Sequence, residues 1–168
     1  MNIYQDQRVG VFVDVQNMYH SARNLYGRRV NFKAILDEAT AGRKLVGAVA
    51  YVIQSPTKEE EKFVEALSKQ GFKIKIKDLQ IFAGGAKKAD WDVGLAMDAI
   101  KLANKLDATV IVSGDGDFVP LVEYLQMQGQ NVEAIAFGES SSHTLIEKVD
   151  KFTDLSKNKN KFLLRTNY

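Results

Sequence analysis

Val9-Gly10-Val11-Phe12-Val13-Asp14 is an unbroken apolar run that ends on a carboxylate. It is too short for a core helix and does not alternate with polar residues, so it reads as a strand buried on both faces, the signature of a parallel sheet. Three further runs share this character: residues 45–53 (Leu-Val-Gly-Ala-Val-Ala-Tyr-Val-Ile), 109–112 and 132–137 (Val-Glu-Ala-Ile-Ala-Phe). A fifth differs. Phe72-Lys73-Ile74-Lys75-Ile76-Lys77 alternates strictly, as expected of an edge strand with one exposed face, where lysines also discourage pairing with another chain.

Helical patterns fill the intervals. Thr57-Lys58-Glu59-Glu60 forms a capping box that opens a helix closed by Gly71,. A second helix is predicted over about residues 91–106, with Asp92, Ala96, Ala99, Ala103 and Leu106 on one stripe, which turns Asp92 toward the core,. A third runs from about Asp117 to Gln128 and stops at Gly129. Alternating strand and helix predicts a three-layer α/β/α Rossmann-like domain with right-handed crossovers. Its sheet is mainly parallel, with five strands in the order 3-2-1-4-5. The domain is expected over residues 1–155. Residues 156–168 begin Ser-Lys-Asn-Lys-Asn-Lys and read as a basic C-terminal tail whose apolar end, Phe162-Leu163-Leu164, docks on the domain or on a partner.

Composition narrows the chemistry. The chain has 168 residues, 45% of them hydrophobic, enough for one domain with a sizeable core,. Lys and Arg total 23 against 21 Asp and Glu, so attraction to nucleic acid has to come from local patches rather than net charge. The absence of cysteine excludes disulfides and thiolate zinc sites and fits a reducing compartment,. No apolar run approaches the roughly 20 residues that span a bilayer, and the start lacks a signal peptide's pattern, so a cytoplasmic location is expected.

Two more stretches carry paired acids: Lys88-Ala89-Asp90-Trp91-Asp92-Val93 and Val110-Ile111-Val112-Ser113-Gly114-Asp115-Gly116-Asp117-Phe118. In a doubly wound sheet, ligands bind beyond the carboxyl ends of the strands, where adjacent connections diverge. With the first and fourth strands neighbours, Asp14, Asp115 and Asp117 meet in one crevice, and Asp92 approaches it from a helix N-terminus that favours its anionic form. Gathered carboxylates repel one another and call for a cation or a shared proton. A hard divalent ion is the simplest answer.

Several of these residues have a second reading. Asp117 suits an N-cap of the next helix, and Asp90 sits where a cap belongs. Asp98, on a helix flank, reads as a solvated or hydrogen-bonded acid. Asn17 either caps the first helix or orients a ligand. The glycines of the Ser113–Asp117 stretch suit a tight turn that approaches an ion closely. His20 reads as a surface or core-edge residue, and Ser140-Ser141-Ser142-His143 as a polar loop, since adjacent residues do not build a Ser-His-Asp triad.

Val9 to Asn17, Lys88 to Asp98 and Ser113 to Val122 together resemble the NYN domain, above all its LabA-like bacterial branch. Phe12-Val13-Asp14-Val15-Gln16-Asn17 is similar to the family's opening Asp-x-x-Asn element. Lys88 through Asp98 is similar to its Lys…Asp-Val-x-Leu-x-x-Asp helix, and Ser113-Gly114-Asp115-Gly116-Asp117-Phe118 to its most recognisable signature. Ser142 to Leu145 and Asp150 to Phe152 resemble its late elements, which stabilise fold or loop. The resemblance implies a PIN-like sheet and a ribonuclease dependent on Mg2+ or Mn2+. Asp14, Asp92, Asp115 and Asp117 are then metal ligands in the catalytic site, while Asn17, Ser113 and Lys88 face the substrate. The implied partner is RNA, single-stranded or structured, with no membrane involved and self-association into a homo-oligomer left open. One alternative is a regulatory RNA- or protein-binding module that retains the acidic pocket and cleaves little or nothing. A haloacid-dehalogenase-like phosphatase fits less well, because Gln16 stands where that chemistry requires a second acid.

Overall fold

β1 (Arg8–Asp14) runs through the middle of the molecule, and its side chains divide the core in two. Val9, Val11 and Val13 pack into one apolar layer and Phe12 into the other. The computed structural model describes residues 4–54, 57–81, 83–84 and 87–167. Beyond β1 the chain forms α1 (Val15–Tyr26), β2 (Arg28–Val30), α2 (Phe32–Thr40), β3 (Lys44–Gln54), α3 (Lys58–Lys69), β4 (Lys73–Asp78), β5 (Gln80–Ile81) and β6 (Lys87–Lys88). After these come α4 (Asp92–Leu102), β7 (Ala108–Val112), α5 (Val119–Met127), β8 (Asn131–Ala136), α6 (His143–Lys148), β9 (Lys151–Asp154), α7 (Lys159–Phe162) and β10 (Leu163–Asn167). Short 3-10 turns at 103–105, 116–118, 138–140 and 155–158 link some of them.

The sheet order is β4-β3-β1-β7-β8-β9 with every neighbouring pair parallel, so the fold is a three-layer α/β domain. The five expected runs occupy the first five places, but the expectation of five strands is corrected to six. The added strand, Lys151-Phe152-Thr153-Asp154, pairs with β8 at the edge. Four residues, three of them polar and all half-buried, carry no apolar run by which an edge strand is recognised,.

Helices α1, α2 and α3 bury Met18, Ile35 and Leu67 against one face; α4, α5 and α6 bury Leu95, Leu125 and Leu145 against the other. Thr57 Oγ1 accepts from the Glu60 N–H at 3.3 Å, the expected cap of α3, and Gly71 follows that helix at φ +111°. The lysine face of β4 is more engaged than its alternation implied. Lys75 donates to Asp98 at 2.6 Å, and Lys77 donates to the Asp90 carbonyl at 2.8 Å with its ammonium 4.4 Å from the Trp91 ring centroid. That face is partly covered by α4 rather than open to water.

The segment from residue 156, expected as a tail with a docking apolar end, returns to the domain. Phe162 and Leu163 are buried in the α1–α3 layer, and β10 pairs antiparallel with β2. Below the sheet, at the N-terminal ends of the strands, Arg43 and Glu133 form a buried pair with contacts of 2.7 and 3.1 Å. The remaining Arg43 donors reach the Ala39 and Thr40 carbonyls and Gln7, and Asn131 donates to Glu133. Nearby, Arg8 grips the exposed Asp107 through Nε, Nη2 and its backbone N–H.

Candidate functional site

At the opposite end of the sheet, the connection from β1 passes to α1 on one face and the connection from β7 to α5 on the other. This is the switch point, and the carboxylates stand in its crevice. Asp14 closes β1 and caps α1: Oδ1 accepts from the Asn17 N–H at 3.2 Å and Oδ2 from the Ser113 hydroxyl at 3.2 Å. Ser113 is fully buried after β7, and its Oγ in turn accepts from the Asp115 N–H at 3.1 Å. The Asn17 side chain reaches across to accept from the Gly114 N–H at 3.0 Å. Two of these hydrogen bonds, Ser113 to Asp14 and Gly114 to Asn17, lock the ends of β1 and β7 to one another, and the other two brace each end locally.

Asp92 begins α4, where its N–H donates to Asp90 Oδ1 at 3.1 Å and Trp91 anchors the helix start through Nε1 to the Val52 carbonyl at 3.0 Å. One carboxylate oxygen each of Asp14, Asp92 and Asp115 then lies within 4.8 Å of the others. Oxygens that share one ion at roughly 2.0–2.6 Å lie at most about 5 Å apart, so the donor set fits a hard cation. Among the described residues no ion pair answers any of the three. The electrostatic cost is visible in their proton affinities. Burial, then the charges of Asp115, Asp14, Asp90 and Asp117, pushes the Asp92 carboxyl up to about 7. Asp14 is also raised, by burial first, against the opposing bonds from Asn17 and Ser113.

Asp117, expected as a fourth ligand, stays outside this group. It is exposed in the turn after Asp115, and its N–H donates to Asp115 Oδ1 at 2.8 Å. Asp98 is a buttress: it accepts from Tyr51 at 2.8 Å and from Lys75, and these bonds outweigh its burial and hold its carboxyl below the usual range. The Lys88 side chain lies outside the described residues.

The glycines of the signature also answer a steric demand that their spacing did not imply. A Cβ at Gly114 would fall 2.5 Å from Ser141 Oγ, and one at Gly116 2.6 Å from Ser142 Oγ. Neither glycine has a positive φ. They are small because the serine loop presses on them, and the Ser142 N–H donates to the Gly114 carbonyl at 2.8 Å. Ser142 also caps α6.

A cleft of about 350 Å³ opens over the acids. Its lining adds Asp90, Gln16, Asn17, His20, Ser21, Asn24, Leu25 and Ser140. Of α1 the sequence reading singled out Asn17 and missed Ser21 and Asn24, although the three recur at helical spacing opposite the buried Val15, Met18 and Ala22,.

Fold and site together define an α/β domain with an acidic centre at the switch point of a parallel sheet. The NYN domain profile matches residues 8–156, and the chain belongs to that family, which lies within the PIN-like nuclease superfamily. It is 24% identical over 164 residues to "Low amplitude and bright protein LabA" of Synechococcus elongatus, covering 91% of this chain and 86% of that protein. A crystal structure of a protein of unknown function from Vibrio parahaemolyticus superposes with a TM-score of 0.87 at 33% identity, over 98% of this chain and 100% of the other.

Proposed function

We propose that this NYN domain is a metal-dependent ribonuclease that hydrolyses RNA phosphodiester bonds at Asp14, Asp92 and Asp115. The observation that carries the reading is the meeting of three carboxylates at the switch point of an NYN domain, with no ion pair to any of them among the described residues. An all-oxygen donor set suits Mg2+ or Mn2+ over softer ions. Such an ion, when bound, supplies an activated water and stabilises charge on phosphoryl oxygens.

The chain's own residues do the positioning. Asp14 is aimed by the bonds to both its oxygens, Ser113 couples it to the Asp115 backbone, and Asn17 holds Gly114, so displacing Asp14 displaces Asp115. Asp117 is assigned a positioning role through its N–H to Asp115, with its charge adding to the field at Asp92. Lys88 is proposed as a phosphate contact.

The test is incubation of purified protein with labelled single-stranded and structured RNA in Mg2+, Mn2+ or EDTA. Products are expected with metal and not with EDTA. Asp14→Asn and Asp92→Asn are expected to stop cleavage while the far-UV circular dichroism stays native. RNA bound but left intact in both ions would replace the nuclease with a binding module.

A further inference from the structure

We infer that the face of α1 lining the cleft binds the nucleotide beside the scissile phosphate and reads its base in a single strand; this rests on the ribonuclease reading above. The cleft has two chemically different ends. Acids crowd the start of α1, whereas the rest of the lining is Gln16, His20, Ser21, Asn24 and Leu25, with Ser140 from the turn at 138–140. No lysine or arginine is among the described lining residues. A surface that tracks a run of phosphates is built from those cations. Amides, hydroxyls and an imidazole instead offer donors and acceptors together, the complement of base edges and ribose hydroxyls.

This face is also unlike an ordinary solvated helix. α3, Lys58-Glu59-Glu60-Glu61-Lys62-Phe63-Val64-Glu65-Ala66-Leu67-Ser68-Lys69, is charged along its length, whereas α1 holds no carboxylate and its one Lys or Arg, Arg23, is not among the lining residues. His20 and Asn24 are exposed. Asn17 is already committed to Gly114, which leaves His20 and Asn24 to meet a ligand. With a rise of about 1.5 Å per residue, they lie roughly 9 and 15 Å along the helix from Asp14. That is the reach of the neighbouring nucleotides rather than of the reacting group. The cleft volume of about 350 Å³ falls near the lower end for ligand sites and suits one splayed nucleotide rather than a duplex,. The imidazole supplies a stacking face and the Asn24 amide an edge contact.

The experiment titrates the purified 168-residue chain with fluorescein-labelled oligo(A), oligo(U) and oligo(C) in EDTA at several salt concentrations, and follows cleavage of mixed-sequence RNA in Mn2+. The parent is expected to bind the three homopolymers unequally. His20→Ala and Asn24→Ala should weaken the preferred one by roughly fivefold to a hundredfold, bring the three together and even out the cleavage ladder. The slope of affinity against salt should not change, and neither should the melting temperature or its rise with Mn2+, which report the fold and the acidic centre. Parent-like affinities and ladder in both variants would overturn the inference while a cleaving parent leaves the ribonuclease reading standing. Uniform weakening with a flatter salt slope would overturn it too, by making the contacts phosphate contacts. A parent that neither binds nor cleaves RNA removes the ribonuclease reading and this inference with it.

Discussion

The two ends of the sheet treat negative charge in opposite ways. At the N-terminal ends of the strands, Glu133 is met by Arg43 in a dry, bidentate pair and Asp107 by Arg8 on the surface. At the C-terminal ends, Asp14, Asp92 and Asp115 crowd together with no ion pair among the described residues. The lower end is internally neutralised and holds the fold. The upper end is left electrostatically unfinished, and in the proposed function a metal ion completes it.

The comparison breaks most readily at Arg43. Truncation by Arg43→Ala leaves the Glu133 carboxylate buried and unpaired, and a loss of about 3–5 kcal/mol in chemical denaturation is expected. Replacing both by apolar residues, Arg43→Met with Glu133→Leu, should recover most of that loss. A double variant as unstable as the single would mean that the pair's other hydrogen bonds, and not its charge, carry the lower end.

The upper end is expected to respond to metal as the lower end does not. Ions that bind only the native state stabilise by about 2.7 kcal/mol at a hundredfold excess over Kd. Calorimetry should show Mg2+ or Mn2+ raising the parent's melting temperature, Asp14→Asn abolishing most of the rise and Arg43→Ala retaining it. An equal rise in Asp14→Asn would move the ion away from the switch point.

A smaller effect sharpens the same contrast without metal. The Asp92 carboxyl is raised in the fold, so the protonated form is favoured there. Its stabilising contribution is complete below the ordinary carboxylate range and lost as pH rises toward about 7,. In EDTA, Asp92→Asn should therefore match the parent near pH 4 and melt several degrees above it near pH 7.5. A gap that closes as pH rises would refute the repulsion. Smallest of all is Arg8→Ala, because its pair with Asp107 is exposed and screened by salt,. Asp107 is held below the usual range by Arg8, so whatever stability is lost appears above that range and vanishes as pH falls through it.

Much of the upper end was legible because its signals are local. Val9–Asp14 announces a buried strand with an acid at its tip, Asp92 falls on the inner stripe of its helix, and Ser113–Phe118 follows the next central strand. The lower end was not legible. Glu133 sits inside an apolar run with nothing nearby to mark it, and its partner Arg43 lies in a turn far back in the chain. β9 escaped notice because an edge strand needs no apolar pattern. Gly114 and Gly116 were visible as glycines, yet the reason for them, Ser141 and Ser142, belongs to a loop that only the fold brings alongside. Asp117 shows the limit from the other side, since a carboxylate in the right motif lies outside the group of three that the fold gathers.

The central position of β1 has a consequence for the order in which the molecule is made. β1 is the first strand in chain order, but Val9 pairs with Leu45 on one side and with Ala108 on the other. During synthesis one edge of an almost wholly apolar strand therefore waits for most of the domain to follow. Contacts this distant in sequence form late and leave aggregation-prone edges exposed in the meantime. The same delay governs the site. Asp14 is made early and Asp115 only after β7, so the domain acquires its acidic centre when β7 joins β1, with β8 and β9 still to be added at the edge.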